Sequence, residues 1–173
     1  MLSIFSVSII LNIFIFILVI AAIAFSFVSK WLFFKKCGEE GWKSLIPFYS
    51  DYVLVQISGL NWWWMLLLYV NIITNIISSF SSLFEQFDSI VALSITLILA
   101  IIGLVGTLMV LFTRFNINYN ISKKLNQNIW YAILLTIFPS IMYFIIGLSK
   151  EFKFDKNIMV SKNGVFNINK NTN

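Results

Sequence analysis

The stretch Lys30–Trp64, KWLFFKKCGEEGWKSLIPFYSDYVLVQISGLNWWW, decides the fold, because charge, glycine, proline and tryptophan occur together there between long apolar runs. Lysine reaches a phosphate layer while its methylene stem stays in apolar surroundings. Tryptophan favours the same boundary, because its ring is apolar and its N–H needs a partner. The stretch predicts an interfacial platform at headgroup level, formed by Lys30, Trp31, Lys35, Lys36, Trp42, Lys43, Trp62, Trp63 and Trp64.

Glycine and proline indicate the shape of this platform. Gly38 and Gly41 flank two glutamates, which suits a tight turn, and Pro47 interrupts any helix that begins at Trp42. We therefore expect two short interfacial pieces bent around a turn. A soluble amphipathic loop would give a similar pattern, but the density of aromatic side chains favours the membrane surface.

The composition fits a chain whose solvent is largely lipid. Of 173 residues, 60% are hydrophobic and 11% charged, so a soluble fold would lack polar residues for its surface. The net charge of +5 is spread over loops and a tail, which suits anionic headgroups better than nucleic acid. Cys37 is the single cysteine and the sequence has no histidine, which excludes an internal disulfide and argues against zinc, haem or another cofactor.

Four apolar segments are long enough to cross a bilayer, which takes about 20 helical residues. They cover about residues 3–29, 62–84, 89–113 and 129–149, and none contains Asp, Glu, Lys, Arg or His. We therefore expect an all-α polytopic membrane protein, with one transmembrane domain over 1–150 and an interfacial segment over 30–61. A short polar tail follows at 151–173, where Asn163-Gly164 between alternating residues indicates a hairpin.

The first segment is expected to be an uncleaved anchor. Ala22 and Ala24 resemble a signal-peptide cleavage site, but no Lys or Arg precedes the apolar run. The run also continues through Phe25 to Val28, beyond the supposed cut. These features favour an uncleaved first span over a cleaved signal peptide. The chain is therefore expected to be a multi-pass protein of the cell membrane.

Positive charge predicts the orientation. Seven Lys or Arg follow the first and third segments, namely Lys30, Lys35, Lys36, Lys43, Arg114, Lys123 and Lys124. The amino terminus and the acidic turn near Glu85 carry none, so the two basic loops are expected in the cytoplasm and the amino terminus outside. The lysines of the tail oppose this rule, but the first helix usually dominates.

Small and polar side chains recur at helical spacing inside the segments. Asn71 and Asn75 lie on one face of the second span, either as hydrogen-bonding groups between helices or as the lining of a path. A stripe of small residues in the third span should seat another helix. Its members are Ala92, Thr96, Ala100, Gly103 and Thr107. Pro139, near the middle of the fourth span, predicts a kink.

Two parts of the chain resemble an uncharacterised family of small prokaryotic multispanning membrane proteins, catalogued as domain of unknown function 5684. The first is the string from Trp31 to Trp64, with its most specific match at GWKSLIPFY. The second is NISKKLNQNIWYAILLTIFPSIMYFIIGLS, from Asn120 to Ser149. The resemblance implies the multispanning architecture and leaves the activity open, because no function is established for the family.

The chain departs from the family pattern at several positions. Ser50 stands where the family has asparagine, and Tyr69 and Val70 stand where a proline is usual in the second span. Leu125 and Asn126 replace a Phe-Gly pair. The segment from Ser78 to Ile90 is interpreted as an insertion relative to the family pattern.

An enzyme is not expected. Family members are sometimes labelled signal peptidase I, a serine-lysine enzyme, and Lys43 beside Ser44 is the matching pair. Adjacent residues on a helix point apart, however, and the predicted orientation puts this pair on the cytoplasmic side. Glu39 and Glu40 are interpreted as solvated charges that balance nearby lysines.

Three functional hypotheses follow. The first is a non-enzymatic membrane component whose platform binds anionic lipid headgroups, another membrane protein or a second copy of itself, but not nucleic acid. The second is a passive pore or small uncoupled transporter lined by Asn12, Asn71, Asn75 and Thr136. The third is an immunity-like or membrane-stress protein, by analogy of size and charge. Coupled transport is disfavoured, because no ionisable residue lies within the apolar cores.

Overall fold

A computed structural model describes residues 2–79 and 89–158, together with 160 and 162, and every regular element among them is a helix. The elements are α1 (Leu2–Lys36), a 3₁₀ helix (Gly41–Leu45), α2 (Pro47–Ser58), α3 (Trp64–Leu68), α4 (Val70–Ser79), α5 (Ser89–Lys124), α6 (Ile129–Ile137) and α7 (Pro139–Leu148). The all-α class is confirmed for this part of the chain. The predicted hairpin at Asn163-Gly164 and the acidic turn near Glu85 lie outside the described residues.

Helices α1 and α5 are long and apolar, with 35 and 36 residues. Within them, Ser8–Lys36 and Leu93–Lys124 are 29 and 32 residues long, and their most apolar 18-residue windows have mean hydropathies of 2.9 and 2.8. Every side chain from 8 to 25 is exposed, as are most from 93 to 112. Among the described residues, two helices are therefore long and apolar enough to cross a membrane.

The two long helices continue beyond the apolar runs that predict them. The sequence predicts a polar loop from Arg114 to Asn128, but α5 stays helical as far as Lys124. Burial explains the difference, because polar side chains on more than one side of this end of α5 lie inside the fold. The buried ones are Thr113, Asn116, Asn118, Asn120, Ser122 and Lys124.

The second predicted span contains an interrupted helix. α3 ends before Tyr69, whose φ of −101° and ψ of 0° leave the helical region, and α4 begins after it. The Tyr69 hydroxyl donates to Asp51 Oδ2 at 2.6 Å, which ties the interruption to α2. The interruption thus occurs without a proline and is held by a side-chain hydrogen bond.

The fourth predicted span is also made of two helices. α6 ends at Ile137 and α7 begins at Pro139, and Phe138 between them has a φ of −124° and a ψ of 61°. Proline has no N–H to continue the hydrogen bonds of α6. Short pieces therefore make up the second and fourth predicted spans, as far as the structure describes them.

The described residues group into two compact units, one from Met1–Ser50 with Phe138–Lys153 and one from Asp51–Ile137 with Phe154–Asn173. In the first unit α1 packs along α7, and Gly147 makes their close approach possible. A Cβ at Gly147 would lie 2.7 Å from Leu32 Cβ and 2.9 Å from the Leu32 carbonyl carbon. The single transmembrane domain over 1–150 stays a prediction.

In the second unit α5 packs against α3, α4 and α6. The ring of Trp64 on α3 lies 6.2 Å from that of Phe112 on α5, between centroids. Asn118 Nδ2 on α5 donates to Thr136 Oγ1 on α6 at 3.1 Å. Aromatic and amide contacts along α5 therefore hold the shorter helices of this unit.

Candidate membrane-surface site

The nine predicted platform residues fall in both compact units. Lys30, Trp31, Lys35, Lys36, Trp42 and Lys43 belong to the first unit, and Trp62, Trp63 and Trp64 belong to the second. The turn after α1 carries the charged part of the platform. The start of α3 carries the tryptophan run.

Two platform lysines hold the end of α1 to other parts of the first unit. Lys30 Nζ donates to Ser50 Oγ at 3.2 Å. Lys36 Nζ donates to the carbonyl of Ser149 at 2.6 Å, at the C-terminal end of α7. Carbonyls at a helix end lack intrahelical partners and carry partial negative charge, so a lysine there stabilises the helix. Lys36 is therefore a structural residue, and a headgroup is not its expected partner.

Lys35 is the platform lysine that points away from the fold. It is exposed, and its Nζ lies 5.6 Å from the centroid of the Trp31 ring. Gly41 lets the turn close on this ring, because a Cβ there would lie 2.5 Å from it. The arrangement presents a cation supported by an aromatic face, which is a favourable cation–π geometry.

Trp42 begins an exposed apolar surface on the first unit. Its ring stacks on Tyr49 with 6.2 Å between centroids and 15° between planes, and its Nε1 donates to Glu40 Oε2 at 2.9 Å. Neighbouring apolar side chains are exposed as well, namely Leu45, Ile46 and Phe48. Exposed apolar side chains beside lysines are typical of a surface that enters the headgroup region.

Lys43 is paired with glutamate, and the adjacent Ser44 is buried. Lys43 Nζ donates to Glu39 Oε2 at 2.9 Å and lies 3.8 Å from Glu40 Oε2. The hydrogen bond to Glu39 raises the pKa of Lys43, whereas a general base for serine needs a lowered one. Ser44 Oγ is buried without a hydrogen-bond partner among the described residues.

The tryptophan run separates into an exposed and a buried part. Trp62 and Trp63 are exposed, while Trp64 is 5% exposed and packs in the core of the second unit. The rings of Trp63 and Trp64 lie 5.3 Å apart between centroids. Trp62 and Trp63 are therefore the tryptophans of this run that can reach a membrane boundary, and Trp64 is a packing residue.

The small-residue stripe of α5 is largely uncovered. Thr96, Ala100 and Thr107 are exposed, and a Cβ added to Gly103 would meet no atom within 4 Å. The side chain of Ala92 lies outside the described part. Among the described residues, the predicted helix-seating role has its support at Thr107 alone, whose Oγ1 accepts from Asn71 Nδ2 at 3.4 Å.

The polar residues proposed as a pore lining bond mostly to helix backbone. Asn12 Nδ2 donates to the Ser8 carbonyl, and Asn75 Nδ2 donates to the Asn71 carbonyl. Thr136 Oγ1 donates to the Ala132 carbonyl, four residues back in its helix. Each of these three hydrogen bonds lies within one helix and leaves the choice between a packing role and a path as a prediction.

We expect Asn71→Leu to lower the free energy of unfolding in detergent by about 0.6 kcal/mol, the mean value of an interhelical hydrogen bond in a membrane protein. Asn75→Leu is the matched control, because the Asn75 amide bonds to its own helix and should change stability less. Thermal unfolding of the purified variants measures both. Equal effects of the two substitutions, or loss of solute flux in liposomes, would contradict the packing role.

Lys124 is the residue that the sequence pattern missed. Its side chain is 7% exposed, and its Nζ donates to the Ile57 carbonyl near the end of α2 at 2.8 Å. Gly59, with a φ of 80°, leaves room for it, because a Cβ there would lie 3.2 Å from Lys124 Nζ. The tail joins the same place, since the Asp155 N–H donates to the Lys124 carbonyl at 3.0 Å. A lysine pair followed by a tryptophan, as after α1, was the signal available in the sequence.

Comparison of this chain with protein-family models, with curated proteins and with solved structures finds no match. The resemblance to the uncharacterised membrane-protein family therefore stays a prediction. Within the described residues, no group of three or more His, Cys, Asp or Glu could hold a metal ion. The candidate site is thus defined by exposed aromatic and apolar side chains with a cation at the end of a long apolar helix.

Proposed function

We propose that the chain is an integral cell-membrane protein with four transmembrane segments and an outside amino terminus. Its platform, Lys30–Trp64, contacts the anionic headgroups of the cytoplasmic leaflet. The protein acts as a non-enzymatic membrane component that binds lipid, or a partner protein within the lipid.

The outward-facing apolar surface of α1 and α5 carries this proposal. The core helix of a soluble protein is mostly buried, whereas the most apolar 18-residue windows of these two helices are 0% and 11% buried. Such continuous apolar surface is unfavourable in water and favourable in hydrocarbon. A bilayer is the environment that removes both surfaces from water at once.

The broken helices are compatible with the two remaining spans. α6 and α7 together cover residues 129–148, which matches the roughly 20 residues that cross a bilayer. Breaks in transmembrane helices are tolerated where neighbouring helices and side chains satisfy the freed backbone groups. The side chains of Tyr69 and Asp51 form a hydrogen bond at the break between α3 and α4.

The lengths of α1 and α5 support a platform at the membrane surface. At about 1.5 Å per residue, each helix is about 50 Å long, against about 30 Å of hydrocarbon. Each therefore extends past the apolar layer at its lysine-rich end. That end is where the exposed cation Lys35 and the exposed ring of Trp42 occur in the first unit.

Cysteine accessibility tests the four-span orientation. Cys37 is 1% exposed, so it is replaced by serine, and single cysteines are placed at the exposed positions Glu40 and Asn128. We expect both to be protected from an impermeant maleimide in intact cells and to react in inverted membrane vesicles. A cysteine at Glu85, in the predicted outside turn, is the matched control and should react in intact cells.

The outcomes separate orientation from span number. If the cysteines at Glu40 and Asn128 react on opposite sides, the number of spans is wrong. If both react in intact cells, the orientation is wrong. If the chain is recovered from the soluble fraction without detergent, the membrane proposal itself fails.

A further inference from the structure

The turn that follows α1 is repeated after α5. The first copy is WLFFKKCGEEGW, from Trp31 to Trp42, and the second is YNISKKLNQNIW, from Tyr119 to Trp130. An opening aromatic residue, a lysine pair and a closing tryptophan keep the same spacing in both. Each copy lies at the end of a long helix. The two turns are therefore candidate copies of one element.

The two long helices end with the same backbone hydrogen bonds. Gly38 has a φ of 77° and Asn126 a φ of 55°, and Asn126 is the one non-glycine residue with a positive φ in the described ranges. In each copy the next residue, Glu39 or Gln127, donates its N–H at 2.9 Å to the carbonyl five residues earlier. Both helices therefore end in a Schellman motif with its left-handed residue at the equivalent position.

The first lysine of each pair occupies the same outward position. Lys35 Nζ lies 5.6 Å from the centroid of the Trp31 ring, and Lys123 Nζ lies 4.6 Å from that of Tyr119. The closing tryptophans are 47% and 69% exposed. Each turn thus presents a cation on an aromatic face and an exposed indole.

The second lysine of each pair holds the end of a helix. Lys36 Nζ donates to the Ser149 carbonyl at 2.6 Å, and Lys124 Nζ donates to the Ile57 carbonyl at 2.8 Å. The first acceptor closes α7 and the second lies at the end of α2, and both helices begin with proline. In each case the acceptor is the tenth residue after that proline. The inward contact is therefore repeated as fully as the outward one.

We propose that the chain carries the same membrane-surface element twice, and that the second copy, Tyr119–Trp130, is a further contact surface for anionic lipid headgroups. This inference rests on the proposed function, which assigns headgroup contact to the first copy. In both copies the outward lysine and the closing tryptophan face the headgroups, and the inward lysine fixes the turn. The second copy replaces Glu39 and Glu40 by the neutral Gln127 and Asn128, so its own residues are more cationic.

Lipid-dependent stability tests the second surface. The full chain is purified in detergent, and its apparent melting temperature is measured with added phosphatidylglycerol and with phosphatidylcholine. Lys35→Gln and Lys123→Gln should each remove about half of the extra stabilisation by phosphatidylglycerol, because each removes one cation near the anionic surface. Lys123→Gln should remove at least as much of this stabilisation as Lys35→Gln does, and the double variant should remove most of it. Lys35→Arg and Lys123→Arg are the matched controls and should retain it.

The three outcomes of this test are distinct. If the extra stabilisation by phosphatidylglycerol falls in Lys35→Gln but not in Lys123→Gln, the second surface is overturned and the proposed function stands. Loss in Lys123→Gln alone supports the second surface and contradicts the platform of the first. No loss in the double variant overturns both.

Exchange of the turns tests the repeat without lipid. Residues 38–40 of the full chain are changed to the counterpart residues by Gly38→Asn, Glu39→Gln and Glu40→Asn. The exchanged chain should keep the parent melting temperature within about 3 °C, whereas Gly38→Val and Asn126→Val should each lower it by roughly 2–8 °C, because valine resists a positive φ. An exchanged chain that loses the fold, or a valine variant that matches the parent, overturns the repeat.

Discussion

Replacing Lys124 with methionine should lower the apparent melting temperature of the detergent-purified chain by roughly 4–8 °C. Methionine keeps most of the length and apolar volume of the side chain but removes the ammonium that donates to the Ile57 carbonyl at 2.8 Å. A hydrogen bond to a charged group contributes about 2 kcal/mol, and each kcal/mol shifts the melting temperature by about 2–4 °C for a chain of this size. The fall in melting temperature is expected to be large because Lys124 is buried and the variant removes the ammonium that donates to the Ile57 carbonyl.

The adjacent residue supplies the control for this prediction. Lys123 lies one position earlier, half-exposed, with its Nζ over the Tyr119 ring. Lys123→Met removes the same charge from the chain but breaks no contact with a helix end, so its melting temperature should stay near that of the parent. Equal shifts for the two variants would mean that net charge, and not the contact with α2, determines the result.

Lys36→Met extends the comparison to the first unit. Its ammonium donates to the Ser149 carbonyl at 2.6 Å, but Lys36 is more exposed than Lys124, so water can replace part of the contact. We expect a shift in the same direction and of smaller size. A Lys124→Met variant as stable as the parent would contradict the role assigned to both lysines.

The apolar runs predicted the long helices because their length and composition can be read directly from the sequence. From Ile9 to Val28 nearly every residue is apolar, and α1 forms there as expected. The C-terminal end of α5 was less predictable. The polar residues between Arg114 and Lys124 suggest a loop, yet most of them are buried inside the second unit and stay helical.

The candidate site was predictable in its position and much less so in its roles. Tryptophan and lysine density marked the turn after α1, which is where exposed Lys35 and Trp42 lie. The sequence does not show that Lys36 has a structural role instead, because its acceptor, the Ser149 carbonyl, lies far along the chain. Trp64 shows the same limit, since adjacent tryptophans look alike until packing buries one of them.

Local sequence predicts one of the two helix interruptions and not the other. Pro139 predicts a helix interruption from the loss of one N–H, and α6 ends at Ile137 while α7 begins at Pro139. Tyr69 gives no such warning, because no residue near it is a helix breaker. The hydrogen bond from its hydroxyl to Asp51 is a tertiary contact that a local pattern cannot report.

Two glycines in apolar helices should respond in opposite directions to alanine. Gly147→Ala places a Cβ 2.7 Å from Leu32 Cβ and 2.9 Å from the Leu32 carbonyl carbon, and backbone cannot move aside as a flexible side chain can. Overpacking of this kind costs about 1–3 kcal/mol, which exceeds the gain of up to about 1 kcal/mol from replacing glycine in a helix. The melting temperature in detergent should therefore fall, because α1 and α7 must separate.

Gly103→Ala is the matched substitution, since an added Cβ there meets no atom within 4 Å. The helix-propensity gain then stands alone, and α5 should be stabilised by up to about 1 kcal/mol in detergent. In liposomes the same variant reports on the uncovered face around Gly103, because small residues allow close helix contact in lipid. If Gly103→Ala stabilises the chain in detergent but destabilises it in liposomes, another helix covers this face in the bilayer. If it stabilises the chain in both, lipid covers the face. A Gly147→Ala variant that is more stable than the parent would contradict the close packing of α1 on α7.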